Sequence, residues 1–320
     1  MAVQSQFNKL LSDIEPSSTT KANASRAHTD LRDFLANHET YNQVYWRSFL
    51  SGSYKRNTAV RPKVKNGVAD RADIDIIVVT NHTRADDPEA VIDELYKVLK
   101  EEYASYRKQG RSVGVSNHLA DMDVVPVIEE AFLFDPPVMY VPDRQRNEWV
   151  QTKPEGHTAW TTDKNKETGE RFKPLVKLVK WWRRENPWWA ANATSPKKKP
   201  KGFQIECIVA ENMDNAETQW AELFVSTLEA IKAEYAFTVS LGSVPYLQDP
   251  AVPANNVMAG VEAEVFRRFY DKASEHAVLG REAIELEEED LMARSRAGAR
   301  SSALVFPPPV LPKRKLRPPT

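Results

Sequence analysis

The first half of the chain alternates between helical and strand-like spacings of apolar residues. Residues 25–49 repeat apolar side chains at roughly helical intervals without proline or glycine, which predicts a helix. Residues 73–79 are dense in isoleucine and valine and predict a strand, and a second strand is expected near residues 119–128. Between them, Asp87 and Pro88 are typical of a helix start, where a carboxylate caps the first turn and proline fits inside it. This strand–helix–strand order indicates a mixed α/β domain.

The second half is predicted to be mostly helical. Apolar residues at positions 175, 178, 179 and 182 keep a helical spacing between Pro174, which can open a helix, and Pro187, which ends it. Further helices are expected over residues 203–213, 219–235 and 256–277, and the acidic residues 282–290 are expected to form a solvated helix face. Residues 303–320 contain six prolines and four lysines or arginines, which predicts an extended or disordered tail.

Composition narrows the class of protein. The 320 residues carry a formal net charge of −1, so a phosphate ligand has to be attracted by local patches and not by an overall basic excess. The single cysteine, Cys207, excludes an internal disulfide, and no cysteine–histidine cluster has the spacing of a zinc site. The sequence contains neither a run of eighteen apolar residues nor a leader-like N-terminus. We therefore expect a cytoplasmic protein.

Acidic residues at the starts of the two predicted strands are the candidate catalytic groups. Side chains alternate across a strand, so Asp73 and Asp75 point to one face, where two carboxylates repel each other unless a cation lies between them. Oxygen ligands of this kind suit Mg²⁺ or Mn²⁺. A third carboxylate from the neighbouring strand, where Asp121 and Asp123 stand, completes a site for two metal ions. An isolated Asp-x-Asp pair is a common strand feature. Three acidic positions with an upstream Gly-Ser turn indicate a catalytic metal site more specifically than that pair alone.

A turn upstream of the first strand offers a phosphate contact. Gly52 and Ser53 follow the first predicted helix and precede the basic residues Lys55 and Arg56. The backbone N–H groups of such a turn, with the serine hydroxyl, can cradle a triphosphate. Most isolated Gly-Ser pairs are plain turns, so this prediction depends on the acidic residues downstream.

These segments together resemble a known family. SGSYKRNTAVRP, ADIDIIVV and DMDVVPV are similar to the DNA polymerase β-like nucleotidyltransferases and, within them, to the bacterial CD-NTases, relatives of cyclic GMP-AMP synthase and oligoadenylate synthase. In the family pattern the third aspartate directly precedes two apolar residues and a proline, which matches Asp123 and not Asp121. LVKLVKWWRREN, KGFQIECIVAEN and YLQDPAVPANNV resemble later segments of the same family, so the resemblance covers roughly residues 45–260.

The resemblance implies an α+β fold, in which a polymerase β-like nucleotidyltransferase domain with a mixed sheet packs on a C-terminal helical domain. On that basis we expect residues 1–160 to form the catalytic domain, with an N-terminal helix. Residues 161–300 are expected to form a helical domain that closes the nucleotide cleft. Residues 301–320 are expected to be a flexible tail rich in proline and basic residues.

The resemblance also implies roles for single residues. The implied catalytic and metal-binding residues are Asp73, Asp75 and Asp123, with Mg²⁺ or Mn²⁺, and the implied nucleotide-binding residues are Gly52, Ser53, Lys180 and Phe203. Lys180 is expected to contact the triphosphate, although the spacing of the lysines on its helix alone favours a solvated basic face. Phe203 is expected to stack on a nucleobase. Gly202 stands where many relatives have serine, which removes one phosphate contact.

We therefore predict an enzyme that joins nucleoside triphosphates, ATP among them, into a cyclic di- or trinucleotide second messenger and releases pyrophosphate. By resemblance, the product signals phage infection to an effector protein, and an accessory protein related to ubiquitin-transfer enzymes binds the C-terminal tail. Neither a membrane nor a nucleic acid is required. Two alternatives stay open: a nucleotidyltransferase that makes linear oligonucleotides or modifies another acceptor, and a catalytically silent scaffold that binds nucleotides. A scaffold has no need for mutually repelling carboxylates on one face.

Overall fold

The computed structural model describes residues 2–65, 68–131, 136–186 and 200–297. The helices are α1 Ala2–Ile14, α2 Ser18–Asn37, α3 Gly52–Lys55, α4 Pro88–Glu102, α5 Pro154–Glu167, α6 Phe172–Glu185, α7 Gly202–Asn212, α8 Trp220–Ser240 and α9 Ala263–Ala297. The strands are β1 Tyr45–Ser51, β2 Val64–Lys65, β3 Val68–Ala69, β4 Ala72–Thr80, β5 Ser105–Lys108, β6 Val113–Ser116, β7 Ala120–Glu130, β8 Val138–Asp143 and β9 Glu148–Thr152. The predicted tail, residues 301–320, lies outside the described residues.

A mixed sheet forms the centre of the first half, as the alternating sequence pattern predicts. Its strand order is β1-β4-β7-β6-β5, with β8 beside the far end of β7 and β9 beside β8. The two strands predicted from sequence, β4 and β7, lie next to each other and run parallel. Their register pairs Asp73 with Asp121 and Asp75 with Asp123, so the four carboxylates belong to one face of the sheet.

The two faces of the sheet have different neighbours. Ile74 and Ile76 point to the face that packs on α2 and α4, where most of the core of this half is buried. Ile77 and Val79 point to the opposite face and form a smaller core with residues of β7 and β8. Asp73 and Asp75 share this second face at the beginning of β4, so neither α2 nor α4 covers them.

Pro126 lies in the middle of β7, although a central strand normally excludes proline. β6 pairs with residues 121–124 of β7 and β8 pairs with residues 128–130, so Pro126 falls in the gap between these two partners. On that side of β7, the residues that the structure describes include no strand paired with Pro126, so none requires the N–H that proline lacks. The position therefore tolerates proline while β4 pairs along the other side of β7.

The second half is helical, as predicted, and α5 to α9 enclose a separate core that includes Phe172, Phe266 and Phe269. Helix α1 also packs here, against α6 and α8, and Trp220 Nε1 donates a hydrogen bond to Asn8 Oδ1 at 3.0 Å. Helix α2 instead packs on the sheet. The N-terminal segment therefore contacts both halves, and the domain boundaries at residues 160 and 300 stay predictions. Of the helices that the structure describes, none combines the length and apolarity needed to cross a membrane.

Two predicted helices differ from the structure. The prediction of one helix over residues 25–49 is wrong beyond Asn37, because the chain turns and then runs as β1. The edge of β4 offers that segment an antiparallel partner, and this pairing overrides the roughly helical spacing of its apolar residues.

The helix predicted over residues 256–277 begins only at Ala263, because the Asn256 side chain accepts hydrogen bonds from the N–H groups of Leu247 and Met258 and stabilises a turn. The Asp87 cap is confirmed by its hydrogen bond from the Glu89 N–H at 3.3 Å.

Candidate active site

The carboxylates that β4 and β7 place on one face have different partners. Asp121 forms an ion pair with Arg71, with 3.3 Å between Oδ1 and Nε. Asp75 and Asp123 are half-buried and lie directly across from each other in the β4–β7 register, whereas Asp73 is exposed. Asp123 has a basic neighbour as well, because Arg107 lies 3.3 Å from its Oδ1, so the ion pairs alone do not separate Asp121 from Asp123, and the choice of Asp123 as third carboxylate rests on the family pattern.

The electrostatics of this face are unfavourable without a cation. Although Asp73 is open to water on one side, the protein atoms around it and the charges of Asp75, Asp123 and Asp121 raise its pKa to about 7. Burial and Asp123 raise the pKa of Asp75. Water at the open side of Asp73 screens part of this repulsion. Among the described residues, no three acidic, histidine or cysteine side chains already stand close enough together to enclose a metal ion. The hard oxygen atoms of these carboxylates are nevertheless of the kind that Mg²⁺ or Mn²⁺ prefers.

The chain turns sharply beside Asp75. Ser51 pairs with Asp75 in the β1–β4 ladder, and the next residue, Gly52, has a φ of +66° and begins α3. A Cβ at Gly52 would overlap the Asp75 carboxylate and would lie 2.9 Å from the Asp75 Cβ. Glycine is therefore required both by the backbone conformation and by the space that Asp75 fills. Ser53 follows in the first turn of α3, whose N–H groups have no intrahelical acceptors.

Gly52→Ala should lower turnover by about a hundredfold, because the added methyl group displaces the Asp75 carboxylate. It should also lower the free energy of unfolding by about 1–3 kcal/mol, because alanine is strained at a positive φ. Gly242→Ala is the matched control, since Gly242 has the same φ of +66° and no atom within 4 Å of the added Cβ. Steady-state kinetics and urea unfolding of both variants separate the two effects. Equal activity of the two variants would contradict the close approach to Asp75.

A buried charge cluster lies behind this turn. Arg56 Nε donates to Glu206 Oε2 at 2.9 Å, and Lys180 Nζ donates to Glu206 Oε1 at 2.7 Å. The Thr58 hydroxyl also donates to Glu206 Oε1, at 2.8 Å. Although burial by itself raises the pKa of Glu206, Lys180 and Arg56 hold it at about 2, so the carboxylate is ionised. The cluster connects the α3 segment to α6 and α7.

The lysines of α6 are not the solvated basic face that their spacing favours. Lys177 is buried and bonded to Glu15, which follows α1, and Lys180 is buried against Glu206 of α7. That interpretation is wrong for these two residues because α6 lies between α1 and α7. The triphosphate contact of Lys180 stays a prediction. Glu206 was missed from sequence, although a single carboxylate inside the apolar run IECIVA is a signal of a buried ion pair.

Phe203 is half-buried in α7 and has aromatic and cationic neighbours. Its ring centroid lies 4.5 Å from that of His157, and the Arg56 guanidinium lies 5.0 Å from the ring centroid. His157 Nε2 in turn lies 2.8 Å from Oδ1 of Asp249, which belongs to the segment YLQDPAVPANNV. The stacking of Phe203 on a base stays a prediction. At Gly202 an added Cβ would lie 3.5 Å from Lys180 Nζ, so the backbone there adjoins the ammonium group.

Known proteins are similar to this chain in sequence and in fold. Residues 1–165 match the family of the Second Messenger Oligonucleotide or Dinucleotide Synthetase domain, SMODS. Cyclic AMP-AMP-AMP synthase of an Acinetobacter species is 46% identical over 291 residues, which cover 91% of this chain and 82% of that protein.

Two solved structures have a similar fold. Bradyrhizobium diazoefficiens CdnG, a CD-NTase in complex with GTP, has a TM-score of 0.69 at 14% identity, and the match covers 92% of this chain and 94% of that chain. E. coli CdnC, in a complex with HORMA-deltaN, has a TM-score of 0.61 at 21% identity, and the match covers 88% and 90% of the two chains. At these identities the likeness concerns the fold alone, a mixed sheet joined to a helical half.

Proposed function

The chain belongs to the Second Messenger Oligonucleotide or Dinucleotide Synthetase family and is a nucleotidyltransferase that makes cyclic oligonucleotides. We propose that its active site is built on Asp73, Asp75 and Asp123. The observation that carries the proposal is the β4–β7 register, which aligns these carboxylates on the face left open by α2 and α4. The raised pKa of Asp73 supports it, because a cation relieves the repulsion among the three groups.

The three aspartates would hold Mg²⁺ or Mn²⁺, which when bound lowers the pKa of an attacking hydroxyl and neutralises charge on the leaving pyrophosphate. Gly52 and Ser53 offer the N–H groups of the first turn of α3 to the triphosphate, beside Asp75.

Two further residues complete the proposed nucleotide site. Lys180 acts to lower the pKa of Asp75, and we propose that its ammonium group, which donates to Glu206 and Thr58, adds positive charge near the phosphate site. Phe203, half-buried one residue after Gly202, is the proposed base contact.

We propose that ATP is a substrate and that the product is a cyclic di- or trinucleotide. The support is the 46% identical relative, which is named for a product with three adenosine units. The test is incubation of the enzyme with α-³²P-labelled NTPs and Mg²⁺, followed by phosphatase and mass spectrometry. A phosphatase-resistant product of two or three nucleotides is expected. A phosphatase-sensitive ladder would indicate linear synthesis, and absence of any product would indicate a silent nucleotide-binding scaffold.

A role in anti-phage defence, with an effector that senses the product, is proposed on the resemblance to the CD-NTases. An accessory protein as partner is supported by the E. coli CdnC structure, which contains a HORMA protein. Binding of such a partner to residues 301–320 stays a prediction, because that tail lies outside the described residues.

A further inference from the structure

The Asp123 carboxylate is held through one of its two oxygens. Gln109 Nε2 donates to Asp123 Oδ1 at 2.6 Å, and Arg107 donates to the same oxygen at 3.3 Å. Within the part of the chain that the structure describes, no donor reaches Oδ2. The carboxylate is therefore fixed by Oδ1, and Oδ2 is the oxygen left to bind a cation.

Gln109 and Arg107 can both reach Asp123 because Gly114 has no side chain. Gly114 lies opposite Asp123 in the β6–β7 register. A Cβ at Gly114 would lie 2.9 Å from Asp123 Oδ1, 2.9 Å from Gln109 Nε2 and 2.7 Å from Arg107 Nε. The three polar groups thus occupy the space above the glycine, and any larger residue there would push them apart.

The backbone of Gln109 is fixed on both sides. Its N–H donates to the Ser112 carbonyl at 2.9 Å, and its carbonyl accepts from Arg144 Nε at 2.7 Å. The neighbouring Lys108 anchors the hairpin to α4 through Asp93. Arg107 is less constrained, since its side chain is 63% exposed and its contact with Asp123 is longer. Gln109 is therefore the better-defined of the two donors to Asp123.

The chemistry of an amide suits this position. A glutamine side chain donates a hydrogen bond and carries no charge, so it orients a carboxylate without neutralising it. A buried lysine or arginine would compete with a metal ion for the same negative charge. Arg107 does carry a charge, but water screens an exposed guanidinium. The negative charge of Asp123 thus remains for a cation at Oδ2.

We propose that Gln109 is a positioning residue for Asp123, holding Oδ1 so that Oδ2 faces the catalytic metal, with Arg107 in support. This inference rests on the proposed function, because it assumes that Asp123 is a metal ligand. Residues that orient metal ligands in this way are typically worth 10- to 100-fold in metal affinity or activity.

The test uses the full-length enzyme and a readout without turnover. Mn²⁺ binding, followed by electron paramagnetic resonance with a non-hydrolysable ATP analogue, should weaken about 10- to 100-fold in Gln109→Met. In kinetics, kcat at low Mn²⁺ should fall and recover as Mn²⁺ rises, while the KM for ATP at saturating Mn²⁺ stays unchanged. Lys108→Gln is the matched control, because it perturbs the same hairpin on the side away from Asp123, and its Mn²⁺ binding should match the wild type.

A second substitution at Gln109, compared with Asp123→Ala, separates failure of the positioning role from failure of the proposed site. Gln109→Leu removes the donor without adding charge, so its Mn²⁺ binding should also be weakened. Wild-type Mn²⁺ binding by folded Gln109→Met and Gln109→Leu, with Asp123→Ala inactive, would overturn the positioning role alone. Full activity of Asp123→Ala would instead overturn the proposed site.

Discussion

Asp75→Asn is expected to abolish formation of the cyclic product, with turnover reduced roughly a thousandfold or more, while the protein stays folded. Asparagine keeps the shape of the side chain beside Gly52 but has no negative charge to offer a cation. Burial and Asp123 raise the pKa of Asp75, so the ionised form is disfavoured in the folded protein. The free energy of unfolding of the metal-free enzyme should therefore be unchanged or higher at pH 8. The phosphatase assay and urea unfolding in EDTA measure the two quantities.

Asp121→Asn is the matched control for this experiment. Asp121 shares the face and the strand pair of the triad, but Asp123, and not Asp121, directly precedes the two valines and the proline of the family pattern. It should therefore lose less activity than Asp123→Asn. Near wild-type turnover by Asp75→Asn would contradict the triad. A larger loss in Asp121→Asn than in Asp123→Asn would identify Asp121 as the third ligand.

Glu206→Ala is expected to lower the free energy of unfolding by about 3–5 kcal/mol, because it leaves two buried cations without their carboxylate. Glu206 is completely buried, and Arg56 and Lys180 donate to its two oxygens. Its pKa is about 2 in the folded protein against an ordinary value of 4.5. The stabilisation is therefore fully present above pH 4.5 and is lost as the pH falls toward 2, so the difference between variant and wild type should shrink in that range.

The control for Glu206 is an ion pair that water reaches. Glu222 accepts from Arg281 at 2.6 Å, but about a third of its side chain is exposed, so Glu222→Ala should cost at most about 1 kcal/mol. Urea unfolding monitored by circular dichroism measures both variants. If the two substitutions cost the same, the cluster behind the α3 turn does not hold the two halves together, and Lys180 and Arg56 have other partners when Glu206 is removed.

The elements that could be predicted from sequence are those whose apolar pattern is local. β4 ends in a continuous run of buried residues and was predicted with nearly correct bounds, and the start of α4, which carries its own cap and proline, was predicted correctly. β5 reads SYRK and has no apolar alternation; it is a strand because β6 pairs with it. β1 was predicted as helix for the same reason, since its strand conformation is fixed by pairing with β4, which lies farther along the chain.

The candidate site also has a part that could be predicted from sequence and a part that could not. The carboxylates of β4 lie two residues apart, so the alternation of a strand predicts their common face without knowledge of the fold. The partner of Lys180 could not be read in this way, because Glu206 lies 26 residues later on another helix. Gln109 carries no sequence signal, because its contact with Asp123 depends on how the β5–β6 hairpin is registered on β7.

Helix α1 leaves the ribosome long before the residues that it packs against are made. The N–H group of Trp220 donates to Gln4 across 216 residues of chain, and Lys177 bonds to Glu15 across 162. During synthesis, α2 and the sheet can assemble while α1 still lacks the surface of α6 and α8 that it binds. Closing so long a loop is slow relative to local folding. Docking of α1 is thus a late event in biosynthesis. Once it has occurred, the N-terminal segment contacts both halves of the enzyme, α1 on the helical half and α2 on the sheet.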